Sequence, residues 1–270
     1  MAEIFSYQFV WVALFMSFLV SICSGIIGSI IVANKNVFVA GGVAHSAFGG
    51  VGAALFFGFS TTFGALLFGV IMALFLSYAF LYQKERLDAY VGASWAFGMA
   101  IGVIFIDITP GYNSDISSYL FGSLLAVGLE EMIAMGIFDV FLVLFVALYY
   151  YEMLALFYDN QFCTLKGLNV YAWTSIIFVL IAIGVVLSMS VGGLILILAI
   201  LSIPAYIAHL FSHSLAFMMC ISWLISLISI WVGFFVAYWC NVSIGACIVV
   251  LLAFAMFGAI IFHKFIRRIL

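Results

Sequence analysis

Charged side chains are scarce in this sequence: Lys, Arg, Asp and Glu supply only 6% of its residues, whereas 69% are hydrophobic. A water-soluble domain carries roughly 25% charged residues. The scarcity of charge excludes a soluble globular protein, because no core could hide so much apolar surface. The strict polar–apolar alternation of a membrane β-barrel is missing too. The composition therefore predicts an all-α, polytopic membrane protein that lies in a lipid bilayer.

Motifs of catalysis and nucleotide binding are also missing. The chain contains no GxxxxGK[ST], HExxH, GxSxG or CxxC sequence, so we do not expect it to hydrolyse ATP or act as an enzyme. Its five cysteines stand singly, without the spacing of a disulfide framework or a zinc site. The largest basic cluster has three residues, which argues against nucleic acid as a partner. We expect no permanently bound cofactor.

Long apolar runs fill most of the chain, and about 20 apolar residues can cross a bilayer as a helix. We expect eight or nine spans within one transmembrane domain, residues 1–270. The first span should be retained, because its apolar run is too long for a signal-peptide core. The predicted segments are residues 8–33, 37–58, 61–82, 91–109, 131–153, 170–190, 193–209, 215–239 and 243–264.

The basic residues predict the orientation of these spans. With nine spans, all seven fall on one side of the membrane: Lys35, Lys84, Arg86, Lys166, Lys264, Arg267 and Arg268. The positive-inside rule makes that side the cytoplasm. We therefore expect the N-terminus outside and the C-terminus in the cytoplasm.

Three regions interrupt the pattern of spans. Residues 110–128 follow a Pro-Gly turn and predict a re-entrant or interfacial helix on the outer side. Residues 154–169 form the longest inner loop and are patterned like a short helix. Residues 190–204 begin at paired glycines and end at Pro204, which predicts a broken or kinked seventh segment. Discontinuous helices often mark a transport pathway.

The second predicted span combines one histidine, His45, with a set of glycines. His45 is either a metal ligand or gate residue beside a pathway, or a packed histidine bonded to a backbone carbonyl. The glycines permit close helix approach or local unwinding. Those that we expect to serve packing or gating are Gly41, Gly42, Gly49 and Gly50.

Other polar residues leave alternatives open. His209 and His213 are four apart and are either a zinc-binding pair or part of a solvated helix end. Asp139 falls within the fifth segment. It is either a proton-relay group or a shallow residue in contact with water.

Several motifs, taken in order, resemble one family. Gly41 to His45 with Gly49-Gly50 is similar to that family's second-span motif, although an aspartate usually stands where this chain has Gly41. Further matching elements follow along the chain. They are Arg86, Asp88 and Gly92; Tyr119 to Gly122; Phe157-Tyr158-Asp159; Gly167-Leu168; and Ile203-Pro204-Ala205. From about Phe9 to Phe262, the chain resembles the permease subunits of bacterial ABC importers for zinc and manganese.

This resemblance implies a type II ABC importer-like fold in a bacterial or archaeal plasma membrane, and a set of partners. Two copies of the chain would form a homodimeric pathway, with two copies of an ABC ATPase subunit on the cytoplasmic side. An extracytoplasmic metal-binding protein would deliver the ion. The coupling loop, about residues 154–169, would contact the ATPase. Its coupling residues would be Phe157, Tyr158, Asp159, Leu165 and Gly167.

In this scheme His45 is a transient ligand of the transported metal, and Pro204 joins the packing or gating residues. Imidazole suits zinc, whereas carboxylate suits manganese. Gly41 in place of the aspartate therefore favours zinc, with manganese as the second choice. The main alternative is a proton- or ion-coupled secondary transporter that uses Asp139 and His45 as relay groups. An intramembrane enzyme and a purely structural subunit are further alternatives.

Overall fold

The computed structural model describes residues 8–110 and 128–269, and these residues form helices without any strand. The helices are α1 (Gln8–Ala33), α2 (Val37–Phe57), α3 (Thr61–Tyr82), a 3-10 turn (Lys84–Arg86), α4 (Leu87–Asp107), α5 (Leu129–Leu148), α6 (Tyr150–Tyr158), α7 (Asn160–Leu165), α8 (Val170–Phe211), α9 (Leu215–Cys240) and α10 (Ile244–Ile269). The predicted all-α fold is confirmed. The helix predicted within residues 110–128, including the Tyr119 to Gly122 element, lies outside the described residues.

Nine segments of the described chain are long and apolar enough to cross a membrane. Two of them, Val170–Met189 and Gly192–Phe211, belong to α8. The predicted segments agree with the observed helices to within two residues, except at one end of three spans. The fourth begins earlier, at Leu87, the fifth ends earlier, at Leu148, and the ninth continues to Ile269. At these ends polar and aromatic residues suit the interface, so hydropathy alone places the helix boundary poorly.

The predicted interruption of the seventh segment lies at its glycines. Gly193 has φ 69° and ψ 170°, a conformation essentially restricted to glycine. The helix does not end at Pro204 but continues through it to Phe211. Proline removes one backbone donor, and a membrane helix tolerates this loss where neighbouring helices cover the freed carbonyl.

The described chain divides into two compact units. The first contains α1, α5 as far as Val140, the part of α8 from Ser188 onward, α9 and α10. The second contains α2, α3, α4, the remainder of α5, α6, α7 and α8 as far as Leu187.

In the first unit, α1 packs against α9 with the two helices antiparallel. The indole Nε1 of Trp231 donates to the Ser17 hydroxyl at 2.9 Å. Two turns further along α1, a Cβ on Gly25 would lie 2.8 Å from the Trp223 backbone. Residue numbers rise from Ser17 to Gly25 on α1 but fall from Trp231 to Trp223 on α9, as they do in antiparallel helices. A glycine at position 25 is therefore what allows Trp223 to approach the α1 backbone.

Candidate translocation site

Helix α2 is the most enclosed of the spans within residues 8–110 and 128–269. Of its most apolar 18 residues, 89% are buried, against 39% for α3 and 28% for α4, which both pack against it. An apolar helix needs small residues to be enclosed this fully, because its neighbours must approach its backbone. The sequence of α2 supplies small residues at close intervals, among them Gly49, Gly50 and Gly52.

Three glycines of α2 meet backbone carbonyls directly. A Cβ on Gly49 would lie 2.7 Å from the carbonyl oxygen of Gly98 on α4. A Cβ on Gly50 would collide with the Gly64 carbonyl of α3, and one on Gly52 with the Gly102 carbonyl of α4. Backbone therefore lies against backbone at these three places. A larger residue would force the helices apart.

His45 lies in this enclosed part of α2. Its side chain is buried, and its Nδ1 is 2.8 Å from the carbonyl oxygen of Gly41, one turn earlier. A carbonyl accepts hydrogen bonds only, so Nδ1 carries the proton in this contact. Nε2 then keeps its lone pair, which is the form in which an imidazole binds a metal ion.

The ring of His45 stacks on Trp95 of α4. Their centroids are 3.7 Å apart and their planes are inclined by 33°. The stack and the Gly41 bond together restrict the rotation of the imidazole. Gly42 lies nearby against the same helix, where an added Cβ would be 3.0 Å from Val91 Cγ1.

Sequence reasoning missed α4 as the second wall of this site. Ser94, Gly98 and Gly102 follow each other at intervals of four, and all three face α2. Ser46 Oγ donates to the Ser94 carbonyl at 3.1 Å, and a Cβ on Gly98 would collide with the Ser46 backbone. Small residues spaced by four indicate a helix contact. This spacing was the available signal.

The predicted coupling loop forms α6 and α7, which meet at Asp159. The Asp159 carboxylate caps α7 by accepting from the N–H groups of Gln161 at 2.8 Å and Phe162 at 3.1 Å. Tyr158 and Leu165 are 85% and 87% exposed. Phe157 is half-buried. This segment thus has a fixed backbone and presents two large apolar side chains to its surroundings.

Gly167 ends this segment in a left-handed conformation, with φ 80°. Its N–H donates to the Thr164 carbonyl, and the N–H of Leu168 donates to the Cys163 carbonyl, both at 3.0 Å. This is the Schellman pattern of a helix end, which favours glycine. Cys163 itself is buried, and burial, assisted by the Asp159 carboxylate, raises the pKa of its thiol.

Pro204 lies in the part of α8 that packs on α1. A Cβ on Gly28 of α1 would collide with the Leu201 carbonyl and lie 3.3 Å from the Ala205 side chain. Ala205 and Ala208 form a buried cluster with Met218. Pro204 is therefore next to a close helix contact.

The remaining candidates lie elsewhere. Asp139 belongs to the first unit and His45 to the second. His209 and His213 are exposed. Within residues 8–110 and 128–269, no group of three or more His, Cys, Asp or Glu side chains is placed to hold a metal ion. A metal held in this part of the chain would have to be bound by fewer side chains.

These features define a multi-pass helical membrane protein in which glycine-packed helices enclose one oriented imidazole. The chain belongs to the ABC 3 transport family, the family of metal ABC importer permeases, which matches residues 6–263. The predicted family is confirmed.

Individual relatives agree with this assignment. The chain is 37% identical over 264 residues to an uncharacterized membrane protein of Synechocystis, covering 98% of this chain and 94% of the relative. It is 33% identical to a metal transport system membrane protein of Chlamydia trachomatis, covering 89% and 84%. It is 30% identical to the manganese transport system membrane protein MntC of Listeria monocytogenes, covering 95% and 91%.

Among solved structures, the chain is similar to PsaBC from Streptococcus pneumoniae in complex with Fab. The TM-score is 0.83 at 25% identity, and the match covers 94% of this chain and 91% of that one. The type II importer-like architecture predicted from the sequence is thus shared with a solved transporter.

Proposed function

We propose that this chain is the membrane-spanning subunit of an ATP-driven importer of a divalent transition metal. Two copies form the pathway and bind two copies of an ATPase subunit, and an extracytoplasmic binding protein supplies the ion. The observation that carries this proposal is the family match over residues 6–263, which extends from α1 into α10. The basic loops predict the N-terminus outside and the C-terminus in the cytoplasm.

His45 is the residue that we propose contacts the ion. Its ring is buried, held by Gly41 and Trp95, and its Nε2 is available as a ligand. One imidazole from each of two subunits gives a site of few ligands. Such a site binds weakly, and weak binding suits a conduit because the ion must leave as well as enter.

Two ions, manganese and zinc, are candidates for the transported metal. Manganese is supported by the Listeria relative that is named for its transport. Zinc is supported by His45 without the family aspartate, because imidazole is a better ligand for zinc than for manganese. We propose that the site accepts both ions and prefers zinc.

Coupling to the ATPase is assigned to residues 154–169. Asp159 and Gly167 fix the two ends of α7. Tyr158 and Leu165 can then enter a groove on the ATPase. Burial of large apolar side chains there would stabilise the complex by about 1.5–3 kcal/mol each. Nucleotide-driven closure of the ATPase pair would act on the helices through this contact.

The test is uptake by the complete transporter in lipid vesicles, with the binding protein loaded with radioactive zinc or manganese. We expect uptake of both ions to require ATP, and zinc to compete the more strongly. The double substitution Tyr158→Ala, Leu165→Ala should abolish uptake and release the ATPase. Leu144→Ala, which truncates a 56% exposed side chain within the α5 span, serves as the matched control.

Uptake driven by a proton gradient without ATP would contradict this proposal in favour of the secondary transporter. The family match and the named relatives give that alternative no support. The Chlamydia and Listeria relatives are named for metal transport.

A further inference from the structure

Asp139 is a buried carboxyl group in the middle of α5. It is the eleventh of the 20 residues of α5, and its side chain is only 3% exposed. Met135, Phe138 and Leu142 share its buried stripe, whereas Ile137 on the other side of the helix is 68% exposed. The carboxyl therefore points into protein and lies far from both ends of the span.

The neighbouring helix places polar atoms near this carboxyl. A Cβ on Gly136 would lie 3.9 Å from Leu19 Cδ1 of α1. One turn further along both helices, Asp139 comes near the Cys23 thiol. Cys23 accepts a hydrogen bond from Ser188 Oγ at 3.8 Å, and both residues are almost fully buried.

Among residues 8–110 and 128–269, neither carboxyl oxygen of Asp139 has a hydrogen-bond partner, although both are buried. A charged carboxylate without a donor or a cation is very costly in such surroundings, whereas a neutral acid is far less so. The seven basic residues of the chain lie in loops or near the ends of spans. They offer no ion pair at the middle of α5.

We propose that Asp139 is a proton-binding site in the middle of the α5 span. One proton occupies the carboxyl and keeps it neutral within the span. The ligand is a proton rather than a metal ion, because the described residues provide no group of three metal-binding side chains around it. The site is separate from His45, and it stands whether or not the importer proposal holds.

The proton can be detected by its chemistry with a hydrophobic carbodiimide. The acid proton moves to a carbodiimide nitrogen, and the carboxyl oxygen bonds to the central carbon. The resulting O-acylisourea rearranges to a stable N-acylurea, with no leaving group and no other reactant. An ionised carboxylate lacks the proton that starts this addition. Asp159 and Asp88, whose side chains are exposed to water, serve as internal controls.

The experiment treats the full chain in lipid nanodiscs at neutral pH and maps the adducts by mass spectrometry. We expect the dominant adduct at Asp139, its loss in Asp139→Asn, and its retention in Cys23→Ala and His45→Ala. Adducts at Asp159 and Asp88 with none at Asp139 would overturn the proposal. So would labelling that appears only after chelation and is suppressed by added zinc or manganese, because a metal would then occupy the site.

A second measurement does not depend on reagent access. The infrared spectrum of the wild type should contain the C=O stretch of a protonated carboxylic acid, with a downshift in D₂O. This band should be missing in Asp139→Asn and present in Cys23→Ala. A wild-type spectrum identical to that of Asp139→Asn in this region would also overturn the proposal.

Discussion

The Nδ1 atom of His45 lies 2.8 Å from the carbonyl oxygen of Gly41, one turn earlier on the same helix. This contact selects the tautomer, because only the protonated nitrogen can donate to a carbonyl. It also joins Gly41 and His45, two positions of the second-span motif on which the sequence resemblance was based. Both positions are therefore accessible to direct tests.

Removal of the imidazole should stop transport without unfolding the protein. His45→Ala deletes the proposed metal ligand, so we expect ATP-dependent metal uptake to fall to background. The variant should still reach the membrane and assemble with the ATPase, because the glycine contacts of α2 remain. Uptake by vesicles is the measurement, and Trp95→Phe, which keeps an aromatic ring beside His45, is the control. Wild-type uptake by His45→Ala would remove this residue from the mechanism.

An aspartate at position 41 should change the preference among metals. Residues 41 and 45 lie on one face of α2 because they are four apart. Gly41→Asp thus adds an oxygen ligand near the imidazole, and oxygen ligands suit manganese better than zinc. We expect the ratio of manganese to zinc uptake to rise. Gly41→Asn, which adds a neutral side chain of the same shape, should raise this ratio less; equal ratios in the two variants would show that charge is irrelevant.

Two glycines of α4 should respond differently to alanine. At Gly98 an added methyl group would collide with the Ser46 backbone, whereas at Gly92 nothing lies within 4 Å. Overpacking of this kind costs about 1–3 kcal/mol. Thermal unfolding in detergent should therefore show a lower melting temperature for Gly98→Ala. Gly92→Ala should match or exceed the wild type, since alanine favours a helix over glycine. Equal melting temperatures would contradict the close contact between α2 and α4.

The cap of α7 should be measurable by hydrogen exchange. Asp159→Ala removes the acceptor for the N–H groups of Gln161 and Phe162, and the loss of a cap costs about 0.5–2 kcal/mol. We expect faster exchange across residues 160–165 and weaker ATPase binding. Gln161→Ala, an exposed substitution in the same helix, should leave the exchange nearly unchanged. Unaltered protection in Asp159→Ala would show that other contacts hold α7 in place.

The Cys163 thiol should need a higher pH for alkylation than a free cysteine does. Burial raises its pKa, with a further contribution from Asp159, and the thiolate is the reactive form. Asp159→Asn removes the charge but keeps a capping side chain, so the pH profile of alkylation should move to lower pH. Cys163→Ser is the blank that removes the signal from this site.

The same shift bears on stability with a definite sign. A thiol pKa that is higher in the folded protein than in the unfolded chain contributes stability below the ordinary thiol pKa. This contribution is lost as the pH rises through the raised value. Unfolding that became harder with rising alkaline pH, relative to Cys163→Ser, would contradict the direction of the shift.

The sequence predicted the spans well and the site less completely. Segment ends such as Tyr82 and Ala33 agree because long apolar runs have one stable structure in a bilayer. The predicted break of the seventh segment lies at Gly193, and the helix continues through Pro204 because a packed membrane helix tolerates proline. Trp95 went unnoticed as a neighbour of His45, since a contact between separate helices leaves no local signal. The burial of Asp139 was equally invisible, because hydropathy reports depth in the membrane and not which side of the helix faces protein.

The contacts of Gly49, Gly50 and Gly52 have a mechanical consequence. Side chains between two helices can change rotamer and so let one helix slide along the other. At these three positions main chain contacts main chain, so no side chain is present to accommodate such a movement. We therefore expect α2, α3 and α4 to be stiff as a group and to move as one body. Any conformational change during a transport cycle would then have to occur at hinges outside these three helices.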